Sequence, residues 1–166
     1  MAYSMDEETL VIDLGNGLIT IIDISDWPLV SPYKWTARQS KPGAPFYAKA
    51  TAVINGKKTT ISMHRLILGL KPGDPRIGDH RFGRTLDNRR SELRIATRGQ
   101  NSWNSKKPVT NSTGLKGVAQ EGKMFRAVIC KDKKQIHLGM FNTKKKAHRA
   151  YCDASAELHG EFGRTA

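Results

Sequence analysis

One short stretch in the middle of the chain brings together the side-chain types that phosphodiester hydrolysis needs. Asp79 and His80 are adjacent, Asn88 and Glu92 follow, and Asn101 comes last. Such a reaction needs an activated water, a counter-charge for the developing phosphorane and a metal ion near the leaving oxygen. An imidazole beside a carboxylate can meet the first two needs. An oxygen ligand from a helix can complete the third, since Mg²⁺ prefers oxygen donors.

Two short strands and a helix are predicted to position these side chains. Residues 76–80 end in a strand-like segment, a loop follows, and residues 93–95 form a second strand. Thr97 is a suitable N-cap for a helix that runs through Asn101 to about residue 106. The order strand, loop, strand, helix would place the Asp-His pair at a strand end and the last amide on a helix.

This stretch, together with two earlier segments, resembles the HNH homing endonucleases, which are frequent in phages and mobile introns and have a ββα-metal fold. The matching segments, in family order, are Tyr33-Lys34-Trp35, Met63-His64-Arg65-Leu66-Ile67, Asp79-His80, Leu86-Asp87-Asn88-Arg89-Arg90 and Gln100-Asn101. The resemblance implies a metal-dependent endonuclease that nicks or cleaves double-stranded DNA. In it, His80 is the general base, and Asp79 and Asn101 bind one divalent ion, Mg²⁺ or Mn²⁺.

One position departs from the family pattern. Where members usually have Ser-Asn-Leu-Arg, this chain has Ser91-Glu92-Leu93-Arg94. An amide can both donate and accept hydrogen bonds, whereas an ionised Glu can only accept. Glu92 therefore either holds the loop of the base differently or marks a weakened or inactive, HNH-derived DNA-binding protein. Asn88 is the alternative brace, so His80, Asn88 and Glu92 together form the predicted catalytic group.

The charge of the chain is unevenly distributed. The net charge is +13, yet six of the fifteen acidic residues and none of the 28 Lys and Arg residues lie within residues 1–30. Residues 31–166 therefore carry a large positive excess, which favours a nucleic-acid partner through counterion release. An RNA-binding accessory protein or a basic membrane-surface protein would fit the same totals. The low aromatic content of 7% argues against a single-strand binder built on stacking platforms.

Composition and local patterns favour a globular cytoplasmic protein, and the HNH resemblance implies that a phage or a mobile element encodes it. The apolar runs at residues 18–22 and 66–70 are far shorter than the ~20 residues of a membrane span. Residues 1–8 lack the basic and apolar regions of a secretory signal. Cys130 and Cys152 are expected to be thiols in that compartment. No membrane partner and no obligate protein partner is indicated.

The predicted fold class is α+β. Strands are expected at residues 10–14, 18–23, 46–54 and 59–63, with turns at Gly15-Asn16-Gly17 and Asn55-Gly56, because Asn and Gly tolerate positive φ. This small β-hairpin region would lead into the ββα-metal motif, with His64 in a packing role. The predicted domains are a nuclease domain at 1–107, a linker at 108–113 and a DNA-binding domain at 114–166.

The C-terminal segment predicts a three-stranded antiparallel sheet packed on one helix. Strands are expected at residues 125–130 and 135–138, and a helix begins after Thr143, a good N-cap. Residues 114–164 resemble the Apetala/ethylene-response-factor type of DNA-binding domain through Gly114-Leu115-Lys116-Gly117-Val118, Phe125-Arg126-Ala127, His137-Leu138-Gly139-Met140-Phe141 and Ala150-Tyr151. The predicted DNA-binding residues of the whole chain are Arg89, Arg90, Lys116, Arg126, Lys131, Lys133 and Lys134.

Overall fold

The fold is known from a computed structural model, which describes residues 2–4 and 8–165. Several small sheets and a few helices make up the chain, in agreement with the predicted α+β class. The chain divides into two compact units, with the boundary between Ala96 and Thr97. The predicted linker at 108–113 lies inside the second of these units.

The first sheet of the N-terminal unit contains β1 (Ala2–Ser4), β2 (Thr9–Asp13) and β3 (Ile19–Asp23), in that order and antiparallel. Gly15, Asn16 and Gly17 connect β2 to β3, and all three have positive φ, at 83°, 56° and 72°. The backbone of an Asn or Gly reaches this region at low cost. The predicted hairpin and its turn are confirmed.

A second antiparallel sheet follows the short helix α1 (Trp27–Val30). It contains β4 (Thr36–Arg38), β5 (Tyr47–Ile54) and β6 (Lys57–Ser62), with β5 in the centre. The Asn-Gly turn between β5 and β6 has φ of 51° and 73°, as predicted. Helix α2 (Met63–Ile67) begins directly after β6, so that the sheet leads straight into the segment that contains His64.

The two three-stranded sheets and both helices of this unit share one hydrophobic core. Its fully buried members include Ile22 from β3, Val30 from α1 and Met63 from α2. Ala48 and Ala50 alternate with more exposed residues on β5, as expected of a strand with one buried face. The indole of Trp35 joins the core and donates a hydrogen bond to the carbonyl of Val30 over 2.8 Å.

Strands β7 (Ile77–His80) and β8 (Leu93–Ala96) form a separate two-stranded antiparallel pair. Their register places Asp79 opposite Arg94 and His80 opposite Leu93. The loop between the strands reaches back to β3, where Ile21 and Asp87 form a parallel bridge. Both predicted strands are present, at nearly the predicted bounds.

The C-terminal unit begins with helix α3 (Arg98–Trp103) and continues with β9 (Val118–Glu121), β10 (Met124–Lys131), β11 (Lys134–Phe141) and helix α4 (Lys144–His159). The three strands form one antiparallel sheet with β10 in the centre. The predicted sheet packed on one helix is therefore present. The ββα-metal arrangement remains a prediction, because α3 groups with the second unit and not with β7 and β8.

The ends of α3 and α4 follow from their capping residues. Thr97 and Gln100 form a reciprocal capping box at the start of α3, and the hydroxyl of Thr143 accepts a hydrogen bond from the amide of Lys146 at the start of α4. Such caps satisfy amides that have no partner within the helix. Among the helices of the described residues, none is long and apolar enough to cross a membrane.

Gly117 supports a close contact between the sheet of the second unit and α4. Its φ is +75°, and a Cβ at this position would overlap the ring of Tyr151, whereas a Cβ on Gly114, at φ +76°, would meet nothing within 4 Å. Ala at either position is strained by about 1–2 kcal/mol. The overlap at Gly117 should add roughly 1–3 kcal/mol.

We therefore expect Gly117→Ala to lower the free energy of unfolding clearly more than Gly114→Ala does. Urea unfolding followed by far-ultraviolet circular dichroism measures both variants against the unaltered chain. Equal losses in the two variants would mean that the contact with Tyr151 contributes nothing.

Candidate active site

Asp79 is held by a buried ion pair. Its Oδ2 accepts a hydrogen bond from Nε of Arg94 over 2.8 Å, and both side chains are buried. The pair follows from the antiparallel register, which places these two residues opposite each other on β7 and β8. A buried carboxylate needs such a partner, because an uncompensated charge in the interior is strongly unfavourable.

His80, the last residue of β7, is held by an amide from the loop that follows. Its Nε2 lies 3.2 Å from Oδ1 of Asn88. The two residues are 4% and 1% exposed, so the contact is shielded from water. Of the two residues that the sequence offers as a brace for the predicted base, Asn88 and Glu92, it is Asn88 that contacts His80.

Asn88 is itself fixed by β3. Its Nδ2 donates a hydrogen bond to Oγ1 of Thr20 over 2.7 Å, and that hydroxyl donates to the carbonyl of Leu86 over 2.7 Å. The backbone amide of Asn88 donates to the carbonyl of Ile21 over 2.8 Å. Sequence reasoning missed Thr20, because a Thr within a β-prone run indicates a strand and nothing else.

A second imidazole packs against His80. The ring centroid of His64, on α2, lies 4.9 Å from that of His80, and the ring of Tyr47 lies 5.7 Å from the first and 6.0 Å from the second. Gly78 makes room for this cluster, since a Cβ there would lie 2.6 Å from Cδ2 of His64. The predicted packing role of His64 is confirmed, and its position beside His80 is new.

Burial governs the protonation of these rings. It lowers the pKa of His64 to about 3, with smaller contributions from the charges of His80, Arg65 and Lys49. Burial also lowers the pKa of His80, opposed by the hydrogen bond to Asn88 and by the charge of Asp79. Both imidazoles are therefore neutral near neutral pH, and a neutral imidazole can accept a proton.

Glu92 lies at the end of the loop between β7 and β8. Its carboxylate is buried and is only weakly paired with a positive charge. Its Oε1 is 3.9 Å from Nη1 of the exposed Arg84, and its Oε2 has no hydrogen-bond partner. Its backbone carbonyl accepts a hydrogen bond from the amide of Arg81 over 2.8 Å. Glu92 thus contributes to the loop through its backbone, while the contact with His80 comes from Asn88.

Two of the predicted DNA-binding residues are engaged within the protein. The guanidinium of Arg89 binds both oxygens of Asp87, with Nε 2.8 Å from Oδ1. That of Arg90 binds both oxygens of Asp26 over 3.0 and 2.6 Å. Paired in this way, both arginines fasten the loop between β7 and β8, and their part in DNA binding remains a prediction.

The remaining predicted residues belong to the C-terminal unit. Asn101 is half-buried on α3, and its part in a metal site with Asp79 remains a prediction. Nζ of Lys116 donates to the carbonyls of Trp103 and Ser105 over 2.6 Å each, and burial lowers its pKa to about 8. This lysine is therefore a structural contact within the unit.

The basic residues of β10 and the turn after it differ in their surroundings. Nε of Arg126 lies 2.6 Å from Oε1 of Glu121, without the alignment of a hydrogen bond. Lys133 and Lys134 are exposed and Lys131 is half-buried, at the turn between β10 and β11. Of the predicted DNA-binding residues in this unit, these three lysines have the positions best suited to a phosphate.

No group of three or more His, Cys, Asp or Glu side chains arranged to hold a metal ion occurs among the described residues. A Zn²⁺ site of the usual kind needs three or four such ligands. A Mg²⁺ ion, by contrast, keeps several waters and needs only one or two protein carboxylates. A hydrated Mg²⁺ ion at Asp79 remains a prediction.

Two viral proteins are similar to this chain. An "Uncharacterized HNH endonuclease L560" of Acanthamoeba polyphaga mimivirus is 28% identical over 153 residues, which are 89% of this chain and 74% of that protein. "Protein 3.8" of Escherichia phage T7 is 34% identical over 88 residues, which are 52% of this chain and 72% of that protein. Neither name bears on the predicted Apetala/ethylene-response-factor type of the second unit.

Comparison with family models found no match, and no solved structure matches the chain.

The ion pair between Arg94 and Asp79 should be essential to stability. Arg94→Leu removes the guanidinium that binds the buried carboxylate of Asp79, and we expect it to lower the free energy of unfolding by about 3–5 kcal/mol. Arg76→Leu is the matched control, because it removes the exposed pair with Asp74 and should have a much smaller effect. Urea unfolding measures both, and similar losses would refute the importance of the buried pair.

The low pKa of His64 predicts that stability depends on pH. Below the ordinary value of 6.5, the unfolded chain takes up a proton that the folded chain resists down to about 3. The free energy of unfolding should therefore fall as pH falls through that window, by at most ~1.4 kcal/mol per pH unit from this residue. The contribution is fully present above the unfolded value.

Urea unfolding at a series of pH values tests this expectation. His64→Phe should flatten the dependence, whereas His137→Phe, at an exposed histidine, should leave it as in the unaltered chain. A slope that is the same in all three proteins would contradict the assignment to His64.

Proposed function

Because the chain belongs to the same family as protein 3.8 of Escherichia phage T7, and a further viral relative is named an HNH endonuclease, we propose that it is an HNH-type endonuclease. The proposed reaction is hydrolysis of a phosphodiester bond in double-stranded DNA, assisted by one divalent metal ion. The likeness to the mimivirus protein supports an HNH-type nuclease. The metal and the form of cleavage are our proposals.

The arrangement of Asp79, His80 and Asn88 is the observation on which the proposal depends. An imidazole at a strand end is braced by an amide on one side and has a carboxylate as its neighbour in the chain. That carboxylate is held in turn by Arg94. Fixed groups of this kind suit proton transfer, since a general base must be oriented before the reaction begins.

His80 is proposed to take a proton from the attacking water. Its lowered pKa keeps the ring neutral and able to accept the proton near neutral pH. The carbonyl dipole of Asn88 faces Nε2 and would stabilise the imidazolium that forms. Tyr47, half-buried beside the ring, limits the directions from which water and phosphate can approach.

Asp79 is proposed to hold the metal ion, Mg²⁺ or Mn²⁺, through its carboxylate. The HNH resemblance assigns Asn101, on α3, as the other protein ligand. When bound, the ion supplies positive charge for the developing phosphorane and the leaving oxygen. Arg94 keeps the Asp79 side chain in place and partly neutralises it, so the site should bind the ion weakly when no phosphate is present.

The positive charge of the chain supports DNA as the partner. The proposed phosphate contacts are Lys131, Lys133 and Lys134, because the other predicted residues bind groups of the protein itself. Each lysine that neutralises a phosphate releases a counterion, so binding should weaken steeply with salt. An Apetala/ethylene-response-factor type of recognition by the second unit is part of this proposal.

A non-catalytic DNA-binding protein is the second candidate function. Glu92 favours it, because a buried carboxylate with an oxygen that lacks a hydrogen bond stands where HNH endonucleases usually carry Asn. Against it stands the brace that Asn88 provides to His80. The two candidates differ in whether DNA is cut, and one experiment separates them.

We expect the chain to nick or cut plasmid DNA with Mg²⁺ and to lose this activity with EDTA. His80→Ala should lower the rate by about a hundredfold or more, because the general base is removed. His137→Ala, at an exposed histidine of the second unit, is the matched control and should cut at the rate of the unaltered chain. Gel electrophoresis of the plasmid forms measures all three.

Binding is measured alongside cleavage by a gel-shift assay. DNA binding without metal-dependent cleavage would favour the second candidate. Activity that persists undiminished in His80→Ala would refute the assigned base. Glu92→Asn tests whether the carboxylate at position 92 lowers the cleavage rate. A large gain in rate in this variant would show that it does.

A further inference from the structure

We propose that Thr20, on β3, is a positioning residue that selects the tautomer of His80 through the amide of Asn88. Thr20 lies 68 positions before Asn88 in the chain and outside every segment that resembles the HNH motif. The catalytic part of this inference rests on the proposed nuclease function. The tautomer itself can be measured without any activity.

The hydroxyl of Thr20 can donate only one hydrogen bond, and its surroundings determine which group receives that bond. Thr20 is fully buried, and its Oγ1 lies 2.7 Å from the carbonyl oxygen of Leu86 and 3.8 Å from the sulfur of Met63. A hydroxyl has one hydrogen to donate, and the carbonyl is both the closer and the stronger acceptor. With its hydrogen used there, Oγ1 must accept the hydrogen bond that joins it to Asn88.

The hydrogen bond to Thr20 sets the orientation of the Asn88 amide, and this orientation decides which end of the amide faces the imidazole of His80. Its NH₂ group must face Thr20, at 2.7 Å, so its carbonyl oxygen must face His80. That oxygen can only accept, and it lies 3.2 Å from Nε2 of His80. Nε2 therefore carries the hydrogen, and Nδ1 carries the lone pair that takes the proton of water.

Removal of the hydroxyl should release this constraint. In Thr20→Val the NH₂ group of Asn88 has lost its acceptor, so the amide can rotate and present either end to His80. When the NH₂ group faces Nε2, the hydrogen of the ring moves to Nδ1, and the lone pair points at the amide. A mixture of the two tautomers leaves only part of the molecules with a base in the correct form.

Two backbone hydrogen bonds beside Thr20 do not depend on its side chain and should remain in Thr20→Val. The amide of Ile21 donates to the carbonyl of Leu86 over 3.2 Å, and the amide of Asn88 donates to the carbonyl of Ile21 over 2.8 Å. Neither bond involves the side chain of Thr20. Thr20→Val loses the bond from Oγ1 to Leu86, but valine has nearly the shape of threonine, so the two backbone bonds should keep the loop attached to β3.

The test is nitrogen-15 NMR of the histidine side chains in the full chain, with the unaltered protein, Thr20→Val and Thr20→Ser. His80→Ala identifies the signals of His80 among the five histidines. In the unaltered chain and in Thr20→Ser, which keeps the hydroxyl, Nε2 should carry the hydrogen. In Thr20→Val the two ring nitrogens should shift towards each other, as expected of a tautomer mixture.

Kinetics supply the second measurement. Thr20→Val should lower kcat by about ten- to a hundredfold with little change in KM, as removal of a partner that orients an active-site group usually does. Thr20→Ser should restore the rate. Thermal unfolding of each variant shows whether the fold is intact.

Two results would overturn the proposal. One is an unaltered chain in which Nδ1 carries the hydrogen, and the other is a folded Thr20→Val that keeps the unaltered tautomer. If the NMR result is as expected but no variant cuts DNA, the control of the tautomer by Thr20 stands and the nuclease proposal fails. The two failures are thus distinguishable.

Discussion

The contact between β3 and residues 86–88 is the constraint on which the candidate site depends. The loop that joins β7 to β8 has little regular structure of its own, so ordering it costs conformational entropy. Two backbone hydrogen bonds to Ile21 and the buried hydroxyl of Thr20 offset that cost. Because Asn88 lies at this contact, the imidazole of His80 is oriented by the N-terminal sheet. That sheet is therefore part of the site and not an appendage to it.

Charge pairing fastens the same loop at its other points. Asp87 binds Arg89, and Asp26 binds Arg90. Buried or half-buried carboxylates need such partners, and a guanidinium can bind both oxygens at once. Asp26 of the acidic segment 1–30 thus has a structural role, since it engages Arg90 within the loop between β7 and β8. An arginine-rich run beside a candidate catalytic motif suggests phosphate binding, and here the protein also supplies acidic partners for both arginines.

Local features of the fold could be predicted from the sequence, and contacts between distant segments could not. The Asn55-Gly56 turn and the cap at Thr143 depend on a few neighbouring residues, so their signals are readable. The partners of Thr20 and His64 depend on how two sheets and α2 pack around β7. No periodicity or turn signal carries that information. For the same reason the sequence indicated Asn88 as a candidate brace but could not say what holds Asn88.

The position of that brace explains how a carboxylate at Glu92 can be accommodated. The brace must donate to Thr20 on one side and accept from His80 on the other. An ionised carboxylate can only accept, so Glu92 could not replace Asn88 in this role. Asn88 has both functions and is almost completely buried, which keeps water from competing for either bond. Residue 92 is thereby relieved of the contact with the imidazole, and its backbone can still hold the end of the loop through the amide of Arg81.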